Sequence, residues 1–155
     1  MFSYPRTESS LTAVDTSPLE LTEHRQSHLQ NGFHFTCTCN RCTNSEVTDS
    51  TLEQMNTLQA QLNDWSSSSS ASPAMAEKLL QMYKDEGLDG FVDIPYGFAA
   101  LSYNAVGEIE EAKKYALLAR ESVLLKDGKS AGSLGIWREI IEGAEKHWSY
   151  RRRVA

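Results

Sequence analysis

Long apolar runs are missing from this chain, as is any excess of positive charge. No stretch approaches the roughly 20 apolar residues of a membrane span, so a membrane-embedded role is not expected. The N-terminal residues Met1-Phe2-Ser3-Tyr4-Pro5-Arg6 do not have the basic-then-apolar layout of a secretory signal. Formal net charge is -6, which argues against bulk electrostatic binding to nucleic acid, since that requires Lys and Arg to neutralise phosphates. Catalytic signatures are also missing. There is no G-x-S-x-G elbow, no Walker loop and no dinucleotide fingerprint. His24 and His28 form an H-x-x-x-H pair, but Arg25 follows His24 where a metalloprotease has Glu. The acidic residues read as solvated helix faces rather than as a paired catalytic site.

Cysteine is scarce, with only three in 155 residues, and all three fall within six positions: Cys37, Cys39 and Cys42, in the pattern C-x-C-x-x-C. Thiols this close in sequence are poorly placed for disulfides among themselves, and one would be left over. Clustered cysteines without an export signal suit a reducing compartment, cytoplasm or nucleus. Three thiolates so spaced also suit Zn²⁺, which favours soft sulfur in a tetrahedron. A closed structural site takes four ligands, and this stretch offers three. His24 and His28, which share a face if they lie on a helix, are candidates for the fourth. His34 is too near Cys37 in sequence to wrap around the ion.

The remaining chain has 40% apolar and 23% charged residues, a globular balance. The first 20 residues read as loop, with a strand remnant at 11–14. A short helix is expected over 19–30, capped by Ser17, opened by Pro18 and ended by Asn31-Gly32. A polar connector is expected over 43–50. Helical spacing of Leu52, Met55, Leu58 and Leu62 then predicts a helix over 51–64. The serine run at 66–72 is expected to be a surface loop, since it offers nothing to bury. Ser72-Pro73 should open the next helix, and Gly87 should end it. Further helices are predicted from Pro95 to Gly107, over 108–126 and over 133–147. Arg151-Arg152-Arg153 reads as a solvated tail.

Ala100, Tyr103, Gly107, Ala112, Ala116 and Ala119 fall at the intervals of a tetratricopeptide-like helix pair, with small residues where helices cross. A plain bundle with small residues at its crossings accounts for the same pattern. The expected fold class is mainly α: a small irregular Cys-rich zinc knuckle followed by a TPR-like antiparallel helical domain. The expected domains are residues 1–46, a knuckle with what precedes it, and residues 47–155, the helical part.

The stretch Arg25-x-x-x-Leu29-x-x-Gly32-Phe33-x-Phe35-x-Cys37-x-Cys39-x-x-Cys42 resembles the post-SET segment of SET-domain protein methyltransferases, the SMYD-like branch and its fungal relatives in particular. The downstream order of Glu86-Gly87-Leu88, Ala99 to Glu108, Ala112 to Ala116 and His147-Trp148 is similar to the helical C-terminal region of the fungal proteins. The resemblance implies that Cys37, Cys39 and Cys42 bind Zn²⁺ together with a fourth cysteine from an N-H-x-C motif. It implies that Phe35 lies against the adenine of S-adenosylmethionine, and that Phe33 lines the channel for the target lysine. From the residues alone, the favoured reading is that both rings cover the knuckle and fill core. N-H-x-C, the glycine-rich cofactor segment and the family's tyrosine are not found: the matching stretch reads Thr12-Ala13-Val14-Asp15-Thr16-Ser17. The expectation is therefore a SET-family protein in truncated form, with a protein partner or substrate. S-adenosylmethionine would be bound only if a SET core is supplied, with little methyl transfer by this chain alone. The alternative is a zinc-stabilised helical interaction module.

Overall fold

The structure is a computed structural model and describes residues 18–154. The proposed strand remnant at 11–14 and the Ser17 cap lie outside the described residues. Among the described residues there are seven α-helices and no strand. The helices are α1 (Thr22–Phe33), α2 (Asn40–Thr43), α3 (Ser45–Leu62), α4 (Pro73–Asp85), α5 (Asp93–Ala105), α6 (Ile109–Asp127) and α7 (Leu134–Gly143). Single 3₁₀ turns occupy Asp89–Phe91 and Ala144–Lys146. No described helix is long and apolar enough to cross a membrane. The chain divides into two compact units between Thr57 and Leu58, a boundary that falls inside α3.

In the first unit, α1 starts and stops later than its sequence suggests. Pro18 lies in a turn, and Leu21 is the residue before the helix. The start is fixed from a distance. One oxygen of Asp49 accepts the Thr22 backbone N–H at 2.9 Å and the Thr22 hydroxyl at 2.8 Å. A carboxylate there satisfies a helix-start donor and complements the positive end of the helix dipole. Asn31-Gly32 does not end the helix. His34 does, in the left-handed conformation at φ 59°, with its N–H bonded to the Gln30 carbonyl at 3.1 Å. The predicted connector at 43–50 is largely helical instead, since α2 ends at Thr43 and α3 begins at Ser45. Its polar sequence offers few residues for burial, but Thr48 is inside and Asp49 is tied to Thr22. Pro18, Leu19, Leu52 and Met55 are the buried apolar side chains of this unit among the described residues.

In the second unit helices form where apolar spacing predicts them, although α5 buries Ala99, Ala100, Ser102, Asn104 and Ala105 rather than the larger Phe98, Leu101 and Tyr103. Ser72 caps α4, its hydroxyl accepting the Met75 N–H, and Pro73 stands in the first turn. Leu79, Leu80 and Tyr83 are buried beneath it. Gly87 and Gly107 adopt φ of +71° and +87°, the left-handed region that glycine enters without steric cost. Gly107 sits in the three-residue turn that folds α6 back on α5. These two helices share the most extensive packing among the described helices, and Ala99, Ala100, Ala112, Ala116 and Ala119 on them are all fully buried. Without bulky side chains at the crossing, the backbones approach closely. Gly97 on α5 makes a further close approach, because a Cβ there would come within 2.7 Å of the Trp137 ring on α7.

The C-terminal arginines are a solvated tail only in part: the Arg151 and Arg152 side chains are exposed, but the backbone and Arg153 are tied to the fold. The Arg151 and Arg153 backbone N–H groups bond to the carbonyls of Asn104 and Ala105 at the end of α5. The Arg153 guanidinium lies 3.6 Å from the Trp65 ring centroid and donates to the carbonyls of Leu62 and Asp64 at 2.7 and 2.9 Å. It thus satisfies carbonyls left open where α3 ends. Beneath it, fully buried Asn104 donates to the Ala144 carbonyl at 3.0 Å and to the Ser149 hydroxyl at 2.9 Å. Ser149 in turn meets Nδ1 of buried His147 at 2.8 Å. This polar chain anchors the segment after α7.

Candidate metal centre

The three cysteines reach one another by a reversal of the chain. After α1, the left-handed His34 turns the backbone so that residues 35–38 return past α1. Gln26 on α1 then grips Cys37 with both ends of its amide. Its Nε2 donates to the Cys37 carbonyl at 2.8 Å, and its Oε1 accepts the Cys37 N–H at 2.9 Å. Cys39 precedes α2, and its carbonyl accepts the N–H groups of Cys42 and Thr43, both at 2.9 Å. That single helical turn carries Cys42 round to the side of Cys39. The result is that Cys37, Cys39 and Cys42 bring their Sγ atoms within 4.8 Å of one another, and the cluster could hold a metal ion such as zinc.

The surroundings treat the three sulfurs differently. Cys39 is exposed, while Cys37 and Cys42 are partly covered. The Cys42 backbone N–H, and after it the Cys37 thiol, support negative charge on Cys39 and bring its thiol down to about 7. Burial pushes the Cys42 thiol up, and the Arg25 guanidinium opposes that push. Arg25 Nη2 lies 3.8 Å from the Cys42 sulfur and 3.0 Å from the Thr22 hydroxyl, and the same guanidinium donates to the Glu20 carbonyl. A chain of polar contacts therefore runs from Cys42 through Arg25 and Thr22 to Asp49 on α3. A fixed cation beside the thiolates offsets the negative charge they would bring to a metal.

No histidine, aspartate or glutamate joins the sulfur cluster among the described residues. His28 turns instead toward Glu20, with Nδ1 3.3 Å from its carboxylate. His24 and His34 are exposed. Phe33 is half-buried and Phe35 is 48% exposed, so Phe35 does not fill core. Sequence reasoning found the sulfurs but not the supports. Gln26, Thr22 and Asp49 carry no motif, and only the chain reversal at His34 brings Gln26 to a residue eleven positions away. No family model, no curated protein and no solved structure matches this chain.

Proposed function

We propose that this chain is a zinc-stabilised helical module related to the C-terminal part of SET-type protein-lysine methyltransferases, with Cys37, Cys39 and Cys42 as the zinc knuckle and the helices after it as a TPR-like domain. The observation that carries the metal half of the reading is the convergence of three Sγ atoms within 4.8 Å, held by Gln26 and Arg25. The family half rests on the sequence pattern around the cysteines. Exposed Phe35 supports it, because a ring meant to face a cofactor stays uncovered until the rest of the pocket is present. A methyltransferase gains much of its rate by holding sulfonium and amine in line. The 155-residue chain carries no glycine-rich segment or N-H-x-C motif to do so. Little or no methyl transfer is therefore expected from the purified chain with S-adenosylmethionine and protein substrates. Turnover above a Cys37→Ser control would overturn that expectation. Zinc should bind at one per chain, and sub-stoichiometric zinc after dialysis would count against the knuckle.

A second reading is favoured by one feature of the helical unit. Glu77 on α4 accepts the phenols of both Tyr103 at 2.6 Å and Tyr115 at 3.2 Å on one carboxylate oxygen, and the two tyrosine rings stack at 5.7 Å. The carboxylate pushes the Tyr103 phenol well above its usual range. A carboxylate fixed by two phenols at the rim of a stacked tyrosine pair suits an ammonium or guanidinium group. On this reading the module binds a basic peptide. Glu77→Gln would then weaken capture of a Lys/Arg-rich peptide and leave an acidic peptide unaffected.

A further inference from the structure

We infer that the three thiols also form a receptor for a thiophilic ion that bonds to three sulfurs and needs no fourth ligand, and that trivalent arsenic is the chemistry that fits. The inference rests on the same cysteine cluster as the zinc reading but asks less of it. Zinc in a closed structural site takes four ligands at about 2.3 Å from sulfur, which sets tetrahedral sulfurs about 3.8 Å apart. The chain has three cysteines, and among the described residues no other ligand atom joins them. Zinc on three thiolates would carry net charge of -1 and keep a coordination position open to solvent or to another molecule. Trivalent arsenic makes three pyramidal bonds, and its lone pair takes the place a fourth ligand would have. Three thiolates therefore complete it, and the product is neutral.

The local structure suits a three-point grip. Gln26 fixes Cys37 from α1, while the single turn of α2 sets Cys39 and Cys42 side by side. The sulfurs are already within 4.8 Å, so little chain ordering is left to oppose binding. Cys39 is exposed and gives the ion a way in. The reaction balances without any co-reactant. Arsenous acid, As(OH)₃, meets three thiols. Three As–O bonds break and three As–S bonds form. Each hydroxide leaves as water with a thiol proton, and arsenic stays in the +3 state.

The test uses the full chain, reduced and metal-free, titrated with arsenite. Native mass spectrometry should show one arsenic gained per chain with loss of three hydrogens. Thiol titration should fall from three reactive cysteines to none, and arsenic X-ray absorption should report three sulfur neighbours. Serine at any one of the three positions should weaken retention by about a hundredfold, because two-point binding forfeits the third intramolecular contact. The inference is overturned if one thiol stays reactive in the arsenic-loaded wild-type chain, or if arsenic is lost on desalting. Both readouts use the wild-type protein, so a serine variant that fails to fold does not blur them. A parallel zinc titration separates the two readings. Arsenic bound without stoichiometric zinc supports this inference and defeats the zinc knuckle, and the reverse result does the opposite.

Discussion

The two units are held by different physics. Among its described residues the first has few buried apolar side chains. In α1 the only buried residue is Thr22, and the helix is tied down by Asp49, Arg25 and Gln26. The second buries Leu79, Tyr83, Val123, Trp137 and Ile140 around an alanine-lined helix crossing, closed by the Asn104–Ser149–His147 chain. Apolar burial stabilises by about 25 cal/mol per Å² and needs no partner of special geometry. A polar network contributes only when every member is in place. The first unit should therefore lean on whatever its sulfurs bind, and the second should not.

Metal removal is the strongest way to break this contrast. Chelation of the zinc-loaded protein should abolish hydrogen-exchange protection in α1 and α2 and leave α5 and α6 unchanged, since binding energy at a structural site is folding energy. Equal loss in both units would show that the contrast is wrong. In the second unit, Asn104→Ala removes two buried hydrogen bonds and leaves the Ala144 carbonyl with only the His147 N–H. A cost of about 3 kcal/mol in thermal or denaturant unfolding is expected. Arg153→Ala should cost about 2 kcal/mol through the lost ring contact and the open α3 carbonyls, with lysine restoring only part. No change there would return the C-terminus to the status of a tail.

Arg25→Gln should lower zinc affinity about tenfold, the low end for a residue that supports metal ligands from behind. Unchanged affinity in a competition assay would remove the guanidinium from the site. The smallest effect concerns pH. Burial holds His147 neutral in the fold, below its ordinary value of 6.5. The unfolded chain then takes up the proton first. Stability of the second unit should be complete above about pH 6.5 and decline as pH falls below it, until the folded histidine also protonates. Nδ1 already accepts the Ser149 N–H at 3.3 Å, so a proton there would break the buried chain. His147→Gln should flatten the slope.

Helix identity in the second unit was legible because apolar spacing, Ser72-Pro73, Gly87 and Gly107 all point the same way. In the first unit the signals were local and weak. Asn31-Gly32 looked like a terminator, but glycine in a helix costs only about 1 kcal/mol relative to alanine. The contacts of α1 with Asp49 and Cys37 outweigh that. The connector at 43–50 looked polar enough to be loop, yet a threonine and an aspartate there serve packing and capping rather than solvent.

Three cysteines in C-x-C-x-x-C were enough, as written residues, to announce a soft-ligand site, because the spacing alone confines the sulfurs to a small volume. Helical periodicity was likewise enough to make the rest of the chain α. The histidines were another matter. Whether His24 or His28 turned inward depended on Glu20 drawing His28 away, a contact no spacing rule contains. Arg153 reads as solvent-facing until Trp65 and the end of α3, some 90 positions earlier, supply a ring and two carbonyls, while Arg151 and Arg152 are exposed as expected. Periodicity and ligand spacing are properties of neighbouring residues, so the sequence carries them. Partner choice for a charged or polar side chain depends on what folding brings within about 3 Å, and that is settled only by the tertiary structure.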